Sequence, residues 1–172
     1  TTNTEAYEFY LKAKRKYNKR ESIEDTEIAR GLLSKAIEID NYLFEAHLLL
    51  GETYRECGDY PEAMAYYKQA LELAEKIDYQ IGIAKINISI SWVFLRKRSD
   101  DLVNVTEYIN HSRRIYEKYN DLKGIASCDK ANGFFHWLRG DILFILKCEK
   151  QLLKFYNKID DYASIIGSKI NI

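Results

Sequence analysis

Small and apolar residues recur along this chain with the spacing of a single helix face. Ala29, Leu33 and Ala36 stand at i, i+4 and i+7, as do Ala63, Tyr67 and Ala70, and again Val105, Ile109 and Ser112. A fourth group, Ile145, Glu149 and Leu152, keeps the spacing with a carboxylate in the middle place. Residues seven apart lie two turns along one face of a helix. Before each group comes a partner segment: Leu11, then Leu50-Gly51 with Tyr54, Ile90-Ser91 with Phe94, and Asn132-Gly133 with His136. The pattern predicts helices in pairs. Gly58 suits the left-handed position that ends the first helix of a pair. Pro61, the only proline, suits the first residue of the next, where a missing N–H costs nothing. The small residues at 51, 63 and 70 are predicted contact points, because helix axes approach closely only where facing side chains are small. Gly51 is expected to face Ala63 within its pair, and Ala70 to receive the next pair.

The pairs repeat. Gly-Ile-Ala starts at 82 and again at 124, an offset of 42 residues. Lys85-Ile86-Asn87-Ile88 returns as Lys169-Ile170-Asn171-Ile172, an offset of 84, twice as long. A period in this range marks an array of helical units. The units are placed at about 5–41, 44–79, 80–121 and 122–161, with 162–172 opening a fifth helix that has no partner. The first inter-helix turn, 18–27, reads as longer than the others. The whole is expected to be one all-α domain of a longer protein.

Composition agrees with helices, since one proline and eight glycines leave room only for short turns. Hydrophobic residues make up 47% of the 172, enough to bury a core. Twenty-six basic residues balance 26 acidic ones, which removes any global electrostatic reason to bind nucleic acid or an anionic membrane. Cys57, Cys128 and Cys148 form no CxxC pair, and three asparagine sequons in an Asn-rich chain arise by chance. A cytoplasmic location with reduced thiols is expected.

Leu50-Gly51-x-x-Tyr54, Gly58-Asp59-Tyr60 and Ala63-x-x-x-Tyr67-x-x-Ala70 together resemble the tetratricopeptide repeat. The resemblance implies a right-handed superhelical solenoid of antiparallel helix pairs, about four repeats plus a truncated fifth helix. It implies a concave groove lined by the first helix of each pair, and a protein or peptide ligand in that groove. Carried onto this chain, the groove positions include Phe9 and Lys16 in the first repeat, and Leu48, Glu52 and Arg55 in the second. The third repeat offers Lys85, Ile88, Trp92 and Arg96, and the fourth Lys130, Phe134 and Trp137. Both tryptophans of the chain fall on this set, and tryptophan is a favoured interface anchor. The lysine and asparagine clamp that some family members use for a carboxylate tail is not present. An apolar and aromatic groove is expected instead, with Lys85, Arg96 and Lys130 meeting acidic residues of the ligand.

No phosphate-binding glycine loop and no metal-ligand spacing appears, so neither cofactor nor metal is expected. Cys128 and His136 lie eight residues apart on one helix, about 12 Å along its axis, too far for a nucleophile and its base. Asp100-Asp101 and Asp160-Asp161 fall at predicted turns, where capping accounts for them. No catalytic activity is expected. Basic then acidic runs at 12–27 and 96–101 follow the order that helix dipoles favour. The expected function is a protein-interaction module. The alternative is a sensory or regulatory segment of a larger bacterial signalling protein, because residues 3–20 resemble the first repeat after a nucleotide cyclase or in a winged-helix transcription regulator. Self-association through Ile165, Ile166 and Ile170 is a further expectation.

Overall fold

A computed structural model describes residues 3–97 and 102–158. Among them are eight helices and no strand: α1 (Thr4–Asn18), α2 (Ile23–Ile39), α3 (Phe44–Cys57), α4 (Tyr60–Lys76), α5 (Gln80–Lys97), α6 (Leu102–Lys118), α7 (Leu122–Leu138) and α8 (Ile142–Lys158). Short connections fold α1 on α2, α3 on α4 and α7 on α8 as antiparallel hairpins, and α3 also packs on α2 and α7 on α6. The chain forms two compact units, one running to Val93 and the other starting at Phe94. The fifth helix expected at 162–172, with Ile165, Ile166 and Ile170, lies outside the described residues, as do Asp100-Asp101 and Asp160-Asp161.

The first unit is built on small residues. Ala6, Ala13, Ala36 and Ala46 are wholly buried beside Leu33 and Leu50, and Tyr10 and Leu43 close the cluster. Alanine at these places lets neighbouring helix backbones come close without losing helical propensity. Gly51 goes a step further. A Cβ there would stand 2.6 Å from the Tyr67 ring and 3.2 Å from the Ala63 carbonyl oxygen. The small residue therefore makes room for a wholly buried tyrosine as well as for the Ala63 backbone. Gly124 does the same in the second unit, where a Cβ would collide with the Tyr116 ring.

Helix ends carry the repeat in a form the side-chain pattern hides. Gly58, Asp78, Asn120 and Gly140 all have positive φ, at 87°, 50°, 54° and 73°. After each, an N–H reaches back five residues: Asp59 to Tyr54 (3.0 Å), Tyr79 to Ala74 (2.9 Å), Asp121 to Tyr116 (2.9 Å) and Asp141 to His136 (3.0 Å). This is the Schellman ending, which satisfies otherwise orphaned carbonyls. Aspartate and asparagine tolerate the left-handed conformation better than most residues, so two of the four ends dispense with glycine. Asp78 and Asn120 are themselves offset by 42 residues, the period of the Gly-Ile-Ala triplets.

Three local expectations change. The long first turn shrinks to residues 19–22, because Ser22 caps α2 and forms a reciprocal box with Asp25. The acidic residues from Glu24 onward thus belong to the helix, and Asp25 also pairs with Lys16 across the turn at 2.5 Å. Backbone N–H bonds from Glu21 and the Lys16 ammonium hold the Asp25 carboxyl down at about 2. Pro61 is the second residue of α4, still among the N–H groups that lack an intrahelical acceptor. In α8, Cys148, Leu152 and Tyr156 are the buried residues, while Glu149 is only partly buried and its carboxyl is pushed up by that burial.

Candidate functional site

The groove positions inferred from the sequence divide between the two units. In the first unit, Phe9 packs partly against the alanine core with Lys12 and Lys35 over its ring, at 5.4 and 6.0 Å. Lys16 is engaged by Asp25, Leu48 is half-buried and Lys85 is exposed. Ile88 is buried at 6% exposure and presents no free surface. Trp92 is half-buried. In the second unit Arg96 is exposed, and the Lys130 ammonium stands 5.1 Å above the Tyr156 ring. Phe134 and Trp137 stack with centroids 5.3 Å apart, and Trp137 is 54% exposed.

Glu52 and Arg55, both inferred from the sequence, form the centre of a polar cluster in the first unit. Arg55 bridges Glu52 at 3.4 Å and Glu56 at 2.6 Å, with its own side chain only 11% exposed. Ser89 of α5 donates to the other oxygen of Glu52 at 2.6 Å. Tyr17 of α1 lies close enough for Glu52, Glu56 and Arg55 to act on it, and burial pushes its phenol up to about 12. Tyr67 of α4 reaches the same cluster from below. Its hydroxyl faces Arg55 and Ser89 without a hydrogen bond of good geometry, and its pKa is driven up first by burial and then by Glu52. Arg55 Nε is likewise buried and unpartnered, and the two carboxylates beside the guanidinium raise its pKa against the opposing effect of burial. Sequence reasoning missed Ser89 and the upward reach of Tyr67. The signal for Ser89 was its place among Ile86, Ile88 and Ile90, where a buried hydroxyl requires a partner.

The cluster sits on α3, and α3 is held by an arginine from the preceding pair. Arg30 of α2 donates to Thr53 Oγ1 at 3.1 Å and to the Thr53 carbonyl at 3.0 Å, while its guanidinium covers the Tyr54 ring at 4.1 Å. Tyr54 stacks in turn on Tyr66 at 5.5 Å. One side chain thereby satisfies a carbonyl near the end of α3 and fixes where that helix lies on α2.

Two of the three thiols, Cys128 and Cys148, are buried. Burial pushes Cys128 up to about 12 and Cys148 up to about 11, so both stay protonated at neutral pH. Arg113 and Asp129 pair beside them, joining α6 to α7. Among the described residues no group of three His, Cys, Asp or Glu side chains could hold a metal ion. No helix there is long and apolar enough to cross a membrane.

Comparison with known proteins agrees with this architecture. No curated protein matches the chain. Residues 44–76 match the tetratricopeptide repeat family model, and the match runs from the first residue of α3 to the last of α4. That hairpin holds Gly51 against Tyr67 and Ala63, ends α3 on Gly58 and buries Ala63, Tyr67 and Ala70 on one face of α4. Residues 44–76 are thus a tetratricopeptide repeat, set among further helical hairpins.

Proposed function

We propose that the chain is a non-catalytic interaction module that binds a peptide or partner domain through the first helices of its pairs. The observation that carries this reading is the division of labour on α3. Ala46, Leu50, Gly51 and Thr53 are consumed by packing, whereas Glu45, Leu48, Glu52 and Arg55 remain partly exposed on another side. A fixed framework with a spare face is what recognition needs, because rigid positioning lowers the ordering cost of binding. Leu48 and Trp92 supply the apolar contact in the first unit, and Phe134 with Trp137 supplies it in the second. The partner is a protein and not a nucleic acid, in keeping with balanced charge.

The test uses the chain as bait on a column, with the captured protein identified and then titrated directly by calorimetry. Leu48→Ala and Trp92→Ala variants that keep the wild-type circular dichroism spectrum are expected to lose about tenfold or more in affinity. Affinity unchanged in both variants would reject the face as the binding surface.

A further inference from the structure

We propose that the C-terminal half of the α3 face recognises a basic side chain, lysine or arginine, of a peptide ligand through Glu52 and Glu56. This names the ligand chemistry of the face described above and rests on that reading. The opposite polarity, basic groove residues meeting an acidic ligand, was the expectation from sequence.

Glu45, Glu52 and Glu56 are spaced by seven and eleven residues, so they share one stripe of α3 about 16 Å long. Lys85 and Lys14 act on Glu45. At the other end, Arg55 is the cation within the stripe, and it is already spent on Glu52 and Glu56. Two carboxylates therefore share one guanidinium. Nearby cations are otherwise occupied, Lys16 by Asp25 and Arg20 by the Tyr17 ring and carbonyl. Glu52 and Glu56 keep 31% and 36% of their side chains exposed, so a ligand can reach them. Ser89 holds Glu52 in place before any ligand arrives.

An independent observation points the same way. The Tyr67 hydroxyl is buried beside Arg55 and Ser89 yet makes no hydrogen bond of good geometry, and neither does Arg55 Nε. A buried polar group without a partner is costly, and here two complementary ones lie together. Neither makes a hydrogen bond of good geometry while Glu52 and Glu56 engage the guanidinium. A ligand cation that takes over these carboxylates releases Arg55 to donate its Nε–H to the Tyr67 oxygen. Ligand binding then completes the hydrogen bonding of the cluster.

The experiment measures fluorescence anisotropy of two labelled octapeptides, one alternating arginine and alanine and the other glutamate and alanine, against the full 172-residue chain. The arginine peptide is expected to bind more tightly, and less so as salt is raised. Removing both charges as Glu52→Gln and Glu56→Gln should weaken it about tenfold, the product of two partly exposed ion pairs. Glutamine preserves the acceptor for Ser89, so the fold should persist. The charge-matched control Glu72→Gln with Glu75→Gln, on exposed positions of α4, should leave affinity unchanged. Tyr67→Phe keeps the buried ring and should weaken the arginine peptide severalfold without lowering the unfolding midpoint. Tighter binding of the glutamate peptide, no binding of the arginine peptide, or equal losses in the two double variants overturns the inference. Unchanged affinity in Tyr67→Phe overturns the movement of Arg55. Each of these results leaves the interaction face to its own test, the loss of a captured partner on Leu48→Ala and Trp92→Ala.

Discussion

Two glycines in helix interiors separate packing from propensity. Gly31 lies within α2, exposed, with nothing within 4 Å of where a Cβ would stand. Gly51 lies within α3, where a Cβ would meet Tyr67 ring carbons at 2.6 and 2.7 Å. Replacement by alanine adds the same methyl and the same helix propensity at both, worth about 1 kcal/mol in favour of folding. At Gly31 nothing opposes that gain, so Gly31→Ala should stabilise by about 0.5–1 kcal/mol. At Gly51 the ring has to move, and it is wholly buried, while the Ala63 carbonyl stands 3.2 Å from the added methyl. Overpacking of this kind costs roughly 1–3 kcal/mol, more than the propensity returns. Gly51→Ala should therefore destabilise, and subtracting the two variants removes the shared propensity term and leaves the steric one. Urea unfolding followed by far-UV circular dichroism gives the energies. Hydrogen exchange read peptide by peptide should place the loss in α3 and α4. A Gly51→Ala protein as stable as Gly31→Ala would refute the view that glycine is there to admit Tyr67.

Further predictions concern the joints and the titratable groups. Arg30→Ala removes both bonds to Thr53 and the cover over Tyr54, and should cost about 2 kcal/mol in the same urea assay, with Arg30→Lys recovering only part of it. His47 is buried and donates Nε2–H to the Asn41 carbonyl at 3.1 Å, and burial lowers its pKa. A base depressed in the folded state contributes fully above its unfolded value of about 6.5, and that contribution declines as pH falls toward the folded one. The unfolding midpoint should accordingly drop below about pH 6.5, and His47→Gln should flatten that limb. An unaltered pH profile in the variant would remove His47 as the cause. With Ellman's reagent at neutral pH, exposed Cys57 should react quickly, while buried Cys128 and Cys148 should react only on unfolding.

What could be read without coordinates was whatever repeats with a fixed spacing. The second hairpin was legible to within a residue or two, because Gly51, Gly58, Pro61, Ala63 and Ala70 each answer to a local rule of helix geometry. The endings at Asp78 and Asn120 obey the same rule but were overlooked, since aspartate and asparagine are ordinary surface residues until their φ is known. The box between Ser22 and Asp25 was overlooked for a related reason: a run of acidic residues reads as a turn unless its first serine is taken as a cap. Burial of Ile88 and the phase of α8 depend on which neighbour a helix meets, and periodicity within one helix does not contain that information. The polar cluster shows the limit most clearly. Glu52 and Arg55 were found as positions, but their meaning comes from Ser89, Tyr17 and Tyr67, which arrive from three other helices. A positively charged residue counted along the sequence is a candidate for an acidic ligand. Arg55, already claimed by two glutamates, leaves carboxylate charge in excess on the face around it. The sign of the charge that such a face offers is thus a property of the pairing and not of the composition.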